Sequence, residues 1–135
     1  MKIASVLENQ DIEKRIAITP EIAKKYISLG FEVSLFENYG AHLGILDKEY
    51  IELGVSILKD EKEIIRSADI IVQLGLFDDN KSSSLKENQT FVGVLNPYDN
   101  KDKIDNLVKN NINIFSLELL PRITRAQSMD ILSSQ

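Results

Sequence analysis

Ile16-Ala17-Ile18-Thr19-Pro20-Glu21-Ile22-Ala23-Lys24-Lys25-Tyr26-Ile27-Ser28-Leu29-Gly30-Phe31-Glu32-Val33-Ser34-Leu35-Phe36 contains one complete helix-to-strand unit. Thr19 is suited to cap a helix and Pro20 to its first turn, where a missing N–H costs nothing. Gly30 supplies the left-handed residue that stops it. Ile22, Ala23, Tyr26, Ile27 and Leu29 form an apolar face, and Lys24 and Lys25 face water. The spacing predicts a helix over 20–29. Phe31 to Phe36 then reads as a strand.

The same alternation runs outward in both directions. Lys2 to Leu7 is a first buried strand, and the polar stretch Glu8 to Arg15 is a loop at its carboxyl end. Beyond Phe36, Glu37 to Gly44 is a glycine-bearing loop. Asp47 is expected to cap a short helix to Leu53, ended by Gly54. Val55–Leu58, Asp69–Leu74, Thr90–Leu95 and Ile112–Leu117 read as strands. Asp60–Ser67 and Asp102–Lys109 read as helices, the second with Ile104, Leu107 and Val108 inward. The Ser-rich stretch 78–84 reads as a loop, too short for a linker. Strands alternating with helices predict an α/β fold: a single domain with a doubly wound, mostly parallel sheet of about six strands, of the flavodoxin or Rossmann kind.

The chain has 135 residues, enough for one domain with a real core, and 43% of them are hydrophobic. Its formal net charge is −5, and no basic cluster marks a nucleic-acid surface. No cysteine and only one histidine, His42, leave neither a thiolate nucleophile nor a Cys- or His-rich metal site. No signal peptide or transmembrane run of ~18 apolar residues is visible, so a cytoplasmic chain is expected, with any membrane link made through partners.

Chemistry gathers after the last strand. Pro121 breaks the sheet ladder and Thr124 can cap a helix. Arg122, Arg125, Gln127, Ser128, Asp130, Ser133 and Ser134 crowd that junction. In a helix, Gln127, Asp130 and Ser134 share one face. Spacing alone favours an ordinary solvated helix start, since helix N-termini attract such residues anyway, and identifies no function. Arg15, at a strand's carboxyl end, could bind an anion or brace a site, or be a plain surface arginine. Gly40 and Gly44 could cradle a phosphate, but without Gly-x-Gly-x-x-Gly they read first as turn residues. His42 reads as a loop histidine. No C-terminal signal closes the last helix, so the 135 residues read as the front part of a longer protein.

The string Pro121-Arg122-Ile123-Thr124-Arg125-Ala126-Gln127-Ser128-Met129-Asp130-Ile131-Leu132-Ser133-Ser134-Gln135 resembles the α subunit of proton-translocating NAD(P) transhydrogenase. Glu8-x6-Arg15-x-Ala17-x-Thr19-Pro20 resembles the opening of both that subunit and alanine dehydrogenase, as does Glu37 to Gly54. The resemblance covers essentially the whole chain, but only the front third or so of the family's soluble domain. It implies that residues 1–135 are the N-terminal domain, with an NAD-binding Rossmann domain to follow.

It implies further that Arg122, Gln127, Asp130 and Ser133 contact the nicotinamide and ribose of NAD(H), with Gln127 and Asp130 nearest the reaction. The activity would be hydride transfer from NADH to NADP, coupled to proton movement. NADP(H) would sit on a partner domain, membrane subunits would complete the machine, and the full-length subunit could form a homodimer. The protein would then lie in the cytoplasm, peripheral to the inner membrane. This fragment alone should be inactive and bind NAD weakly.

Two alternatives remain. Alanine dehydrogenase places a lysine and a histidine where this sequence has Gln73 and Asn96; neither replacement is a good general acid or base near neutral pH. A non-catalytic flavodoxin-like module would need acids clustered at strand ends; Glu8 and Asp11 lie near one, but no Asp closes a later central strand.

Overall fold

The computed structural model describes residues 1–8, 14–77, 79–94 and 100–116. Six strands form one sheet: β1 (Lys2–Ser5), β2 (Glu32–Phe36), β3 (Ser56–Leu58), β4 (Ile70–Val72), β5 (Thr90–Gly93) and β6 (Asn113–Ser116). The helices are α1 (Pro20–Ser28), α2 (Asp47–Glu52), α3 (Glu61–Ser67), α4 (Asp79–Ser82) and α5 (Lys101–Lys109). The order is β3-β2-β1-β4-β5-β6, and every adjacent pair is parallel. The chain steps outward from β1 to β3, then crosses back over β1 to begin β4. The expected doubly wound sheet is therefore present.

Strand alternation divides the core between the two faces. Ile3, Val33, Leu35 and Val72 pack with Ile22, Ala23 and Tyr26 of α1 and Tyr50 of α2. Ala4, Ile71 and Phe91 face the other way, against Ile64 and Ile65 of α3 and Leu107 of α5. Thr19 caps α1, its Oγ1 accepting from Ile22 N at 3.3 Å, and Gly30 takes φ +97° just past the helix end.

Four expectations need correction. Leu29 is 73% exposed, because it follows the last turn of α1 and projects over a part of the sheet that the helix does not cover. Asp47 does not cap α2: Leu46 holds that place, and Glu49 Oε2 accepts from Leu46 N at 2.8 Å. Asp47 instead closes the preceding loop, both carboxylate oxygens accepting from Asn38 N at 3.0 Å. Val108 is 55% exposed, since it lies about 100° around α5 from Leu107. Finally, the Ser-rich stretch contains the helical turn α4. Lys81 anchors it, donating to Leu7 O at 2.7 Å, with Glu61 at 3.8 Å. Phe77's ring centroid lies 5.9 Å from the same ammonium.

Candidate functional site

In open α/β sheets the crevice for ligands opens at the carboxyl ends of the strands, where strand order reverses. Here that point lies between β1 and β4. Two polar residues interrupt otherwise apolar strand sequence there: Ser5 and Gln73, 0% and 1% exposed. A buried polar group must find partners, so each is tightly specified.

Gln73 uses both ends of its amide. Its Oε1 accepts from Ser5 Oγ and Val6 N, each at 2.8 Å. Its Nε2 donates to Val6 O at 3.1 Å and to Glu8 Oε2 at 2.7 Å. The carbonyl and carboxylate can only accept, which fixes the amide's orientation. The single Ser5 hydroxyl proton goes to Gln73, so Tyr39 is the donor in the 2.8 Å contact with Ser5 Oγ. The Tyr39 oxygen in turn accepts from Ala17 N and Ile18 N, both at 3.2 Å. Tyr50 lies edge-on to Tyr39 and donates to Ile18 O at 2.8 Å.

One continuous polar chain thus ties β1, β4, the turn after β2 and the entry to α1. Burial raises both phenols well above the ordinary tyrosine value, so both are neutral donors. For Tyr39 the nearby Glu8 charge adds to the rise, against its hydrogen bonds to Ser5, Ile18 and Ala17.

Glu8 completes the arrangement. Besides Gln73, its carboxylate accepts from Leu74 N at 2.8 Å and Gly75 N at 3.2 Å. Main-chain N–H groups that could meet a ligand anion at the switch point are therefore used by the protein's own carboxylate. This makes a rigid floor. Among the described residues, no group of three or more His, Cys, Asp or Glu could hold a metal.

The other candidates fall into place around this floor. Arg15 is exposed and immediately precedes buried Ile16. His42, also exposed, has Nε2 2.7 Å from Lys14 O and so joins the loop after β2 to the segment carrying Arg15. Gly40 and Gly44 are turn residues. A Cβ on Gly40 would come within 2.8 Å of Ile45 Cβ, and Gly44 takes φ +79°. Arg122, Gln127, Asp130 and Ser133, together with Asp11 and Asn96, lie outside the described residues. The sequence reading missed the Ser5–Gln73–Tyr39–Glu8 chain; its signal was a serine and a glutamine inside runs of buried apolar residues.

Known proteins give an independent comparison. Residues 6–135 match the model of the alanine dehydrogenase/PNT N-terminal domain. The whole chain aligns at 41% identity with 36% of the length of a Rickettsia prowazekii (strain Madrid E) protein, the first part of NAD(P) transhydrogenase subunit alpha. The crystal structure of transhydrogenase from Sinorhizobium meliloti superposes with a TM-score of 0.87 at 31% identity, over 99% of this chain and 40% of that one. An L-alanine dehydrogenase superposes at 0.79 with 16% identity, over 86% and 32%, which speaks to the fold alone. The chain spans well under half the length of these proteins. Among the described residues, no helix is long and apolar enough to cross a membrane. On the match that runs from residue 6 to residue 135, the chain belongs to the alanine dehydrogenase/PNT N-terminal domain family.

Proposed function

We propose that this chain is the N-terminal domain of the NAD(H)-binding α subunit of a proton-translocating NAD(P) transhydrogenase, with a Rossmann domain completing the subunit. The observation that carries the reading is the alignment of the entire chain, at 41% identity, with a protein that bears the name of that subunit's first part. The subunit transfers hydride from NADH to NADP held on a partner domain, and membrane subunits couple the transfer to proton movement. The protein sits in the cytoplasm against the inner membrane through those partners.

The switch-point floor braces the carboxyl edge of the sheet, the edge at which β6 ends with Ser116. Arg122 donates to the nicotinamide carboxamide oxygen, Asp130 accepts from its NH2, and Ser133 bonds the amide or the ribose. Gln127 reaches toward the second nicotinamide. The bound cofactor supplies the hydride chemistry; these side chains fix which ring face is offered and at what distance. Arg15 supports the same edge from the segment before α1.

Gln73 argues against the alanine dehydrogenase alternative. Both ends of its amide are consumed inside the fold, so it has no proton to relay to a keto acid. The flavodoxin-like module is disfavoured by the family match.

In the full-length subunit, Asp130→Asn is expected to slow single-turnover hydride transfer about a hundredfold, the scale of a misplaced reactant. Its urea midpoint should stay unchanged. Wild-type turnover rates would remove the proposed role. Residues 1–135 alone should bind NADH only weakly, because on this reading the site is shared with the Rossmann domain. Micromolar affinity by calorimetric titration would contradict that half-site reading.

A further inference from the structure

The strand order β3-β2-β1-β4-β5-β6 is the order of the doubly wound folds that bind dinucleotides. In those folds the pyrophosphate lies at the switch point. It rests on a glycine-rich turn after the first strand and on the open N–H groups of the helix that follows. This sheet has the same order and a different turn. Residues 6–19 contain no glycine. α1 opens with Pro20, which has no N–H, and Ile22 N donates to Thr19 Oγ1. Ala17 N and Ile18 N, just before the helix, donate to the buried Tyr39 hydroxyl.

The other side of the seam is taken as well. The consecutive N–H groups of Leu74 and Gly75, just past β4, converge with Gln73 Nε2 on one point. Successive main-chain donors arranged in this way make an anion position. Glu8 fills it from the end of β1. Its Oε2 accepts from Gln73 Nε2 at 2.7 Å and Leu74 N at 2.8 Å, and its Oε1 from Gly75 N at 3.2 Å. Gln73 is 1% exposed, so its amide cannot turn to water instead.

We propose that Glu8 shuts nucleotide phosphates out of this switch point: its carboxylate occupies the phosphate position and leaves the crevice to uncharged groups. An incoming phosphate would face the carboxylate at close range, like charge against like, or would have to take over all its donors. Glu8 is then a specificity-determining residue as well as a brace. A brace alone predicts that the loop relaxes when the side chain is removed. A filled anion position predicts that the vacated donors accept another anion. The closed phosphate position does not rest on the hydride-transfer reading. Where that reading holds, this domain receives the uncharged carboxamide end of the dinucleotide.

The test is an NMR titration of the 135-residue chain with inorganic phosphate, read at the amide resonances of Leu74 and Gly75. In the wild type neither resonance should move saturably. In Glu8→Ala both should, with phosphate bound about tenfold tighter than in the wild type, because the donors regain a charged acceptor. Glu52→Ala removes the same charge from an exposed position on α2 and should behave as the wild type. Saturable binding at these amides in the wild type, or no gain in a folded Glu8→Ala, would overturn the proposal. If Glu8→Ala does not fold, Glu8→Gln carries the test, since it keeps the size of the side chain and loses its charge. Phosphate should then compete for the same two amides, and an affinity equal to the wild type's would count equally against the proposal. Inorganic phosphate contains no nicotinamide, so failure of the hydride-transfer reading would leave these results in place.

Discussion

Gln73→Leu lowers the free energy of unfolding by about 4 kcal/mol, read from urea titration. The substitution keeps the volume and removes the amide. Val6 N and Val6 O then lose their partners, Ser5 has no acceptor for its hydroxyl proton, and Glu8 loses the Gln73 donor. Each buried group left unsatisfied costs about 1–3 kcal/mol, and a charged one more. A domain of this size has a total stability of about 5–15 kcal/mol, so the variant should be near its unfolding midpoint in modest denaturant. Gln73→Leu is more damaging than loss of an exposed polar contact because water cannot reach the vacated groups: Ser5 and Gln73 are 0% and 1% exposed. A loss below about 1 kcal/mol would show that the switch-point chain is not what joins β1 to β4.

The second large effect is alkaline. Tyr39 and Tyr50 have folded-state values raised by burial above the ordinary tyrosine value of 10.0. For a group whose folded value is raised, the stabilisation is complete below the unfolded value and disappears as pH climbs toward the folded one. The window therefore opens near pH 10 and extends upward. The slope is about 1.4 kcal/mol per pH unit for each phenol, so between about pH 10 and 12 the two should remove roughly 5 kcal/mol together. The check is the urea midpoint against pH, followed together with phenolate absorbance. Unfolding and ionisation should coincide. Phenolate appearing in still-folded protein with a midpoint near the ordinary value for both residues would sink the expectation. Tyr50→Phe should halve the slope; it loses only its bond to Ile18 O, whereas Tyr39→Phe would also strand Ala17 N and Ile18 N.

Local chemistry made much of the fold legible. Thr19, Pro20 and Gly30 mark α1 because each answers a backbone requirement of a helix end, and the structure uses Thr19 and Gly30 as expected. Asp60 caps α3 in the same manner, accepting from Glu63 N at 3.3 Å. Asp47 misled because an Asp before a short helix can serve a loop as readily as a helix terminus, and the Asn38 N–H nearby decided the matter. Val108 misled because a four-residue spacing from Ile104 suggests one face, while the short helix rests on the sheet only along Ile104 and Leu107. The polar floor was harder to see. Tyr39 and Gln73 stand 34 and 68 positions from Ser5, and only strand order brings them together. The cofactor residues were named through resemblance to a family, and they fall in the stretch the structure does not describe.

Among the described residues, every ladder in this sheet joins distant parts of the polypeptide, with no hairpin to start one. Ile3 pairs with Ile70, so the central seam cannot close until half the chain has been made. Loop-closure entropy must be met before such pairings stabilise anything, which makes folding slow for a protein of this length. During synthesis, the segment through β3 can assemble as a three-stranded half with α1 and α2 on one side, while Ser5 and Tyr39 wait for Gln73 to emerge from the ribosome. That interval leaves Ile3 and Ala4 at an open sheet edge, and it is when a nascent chain of this design most needs a chaperone.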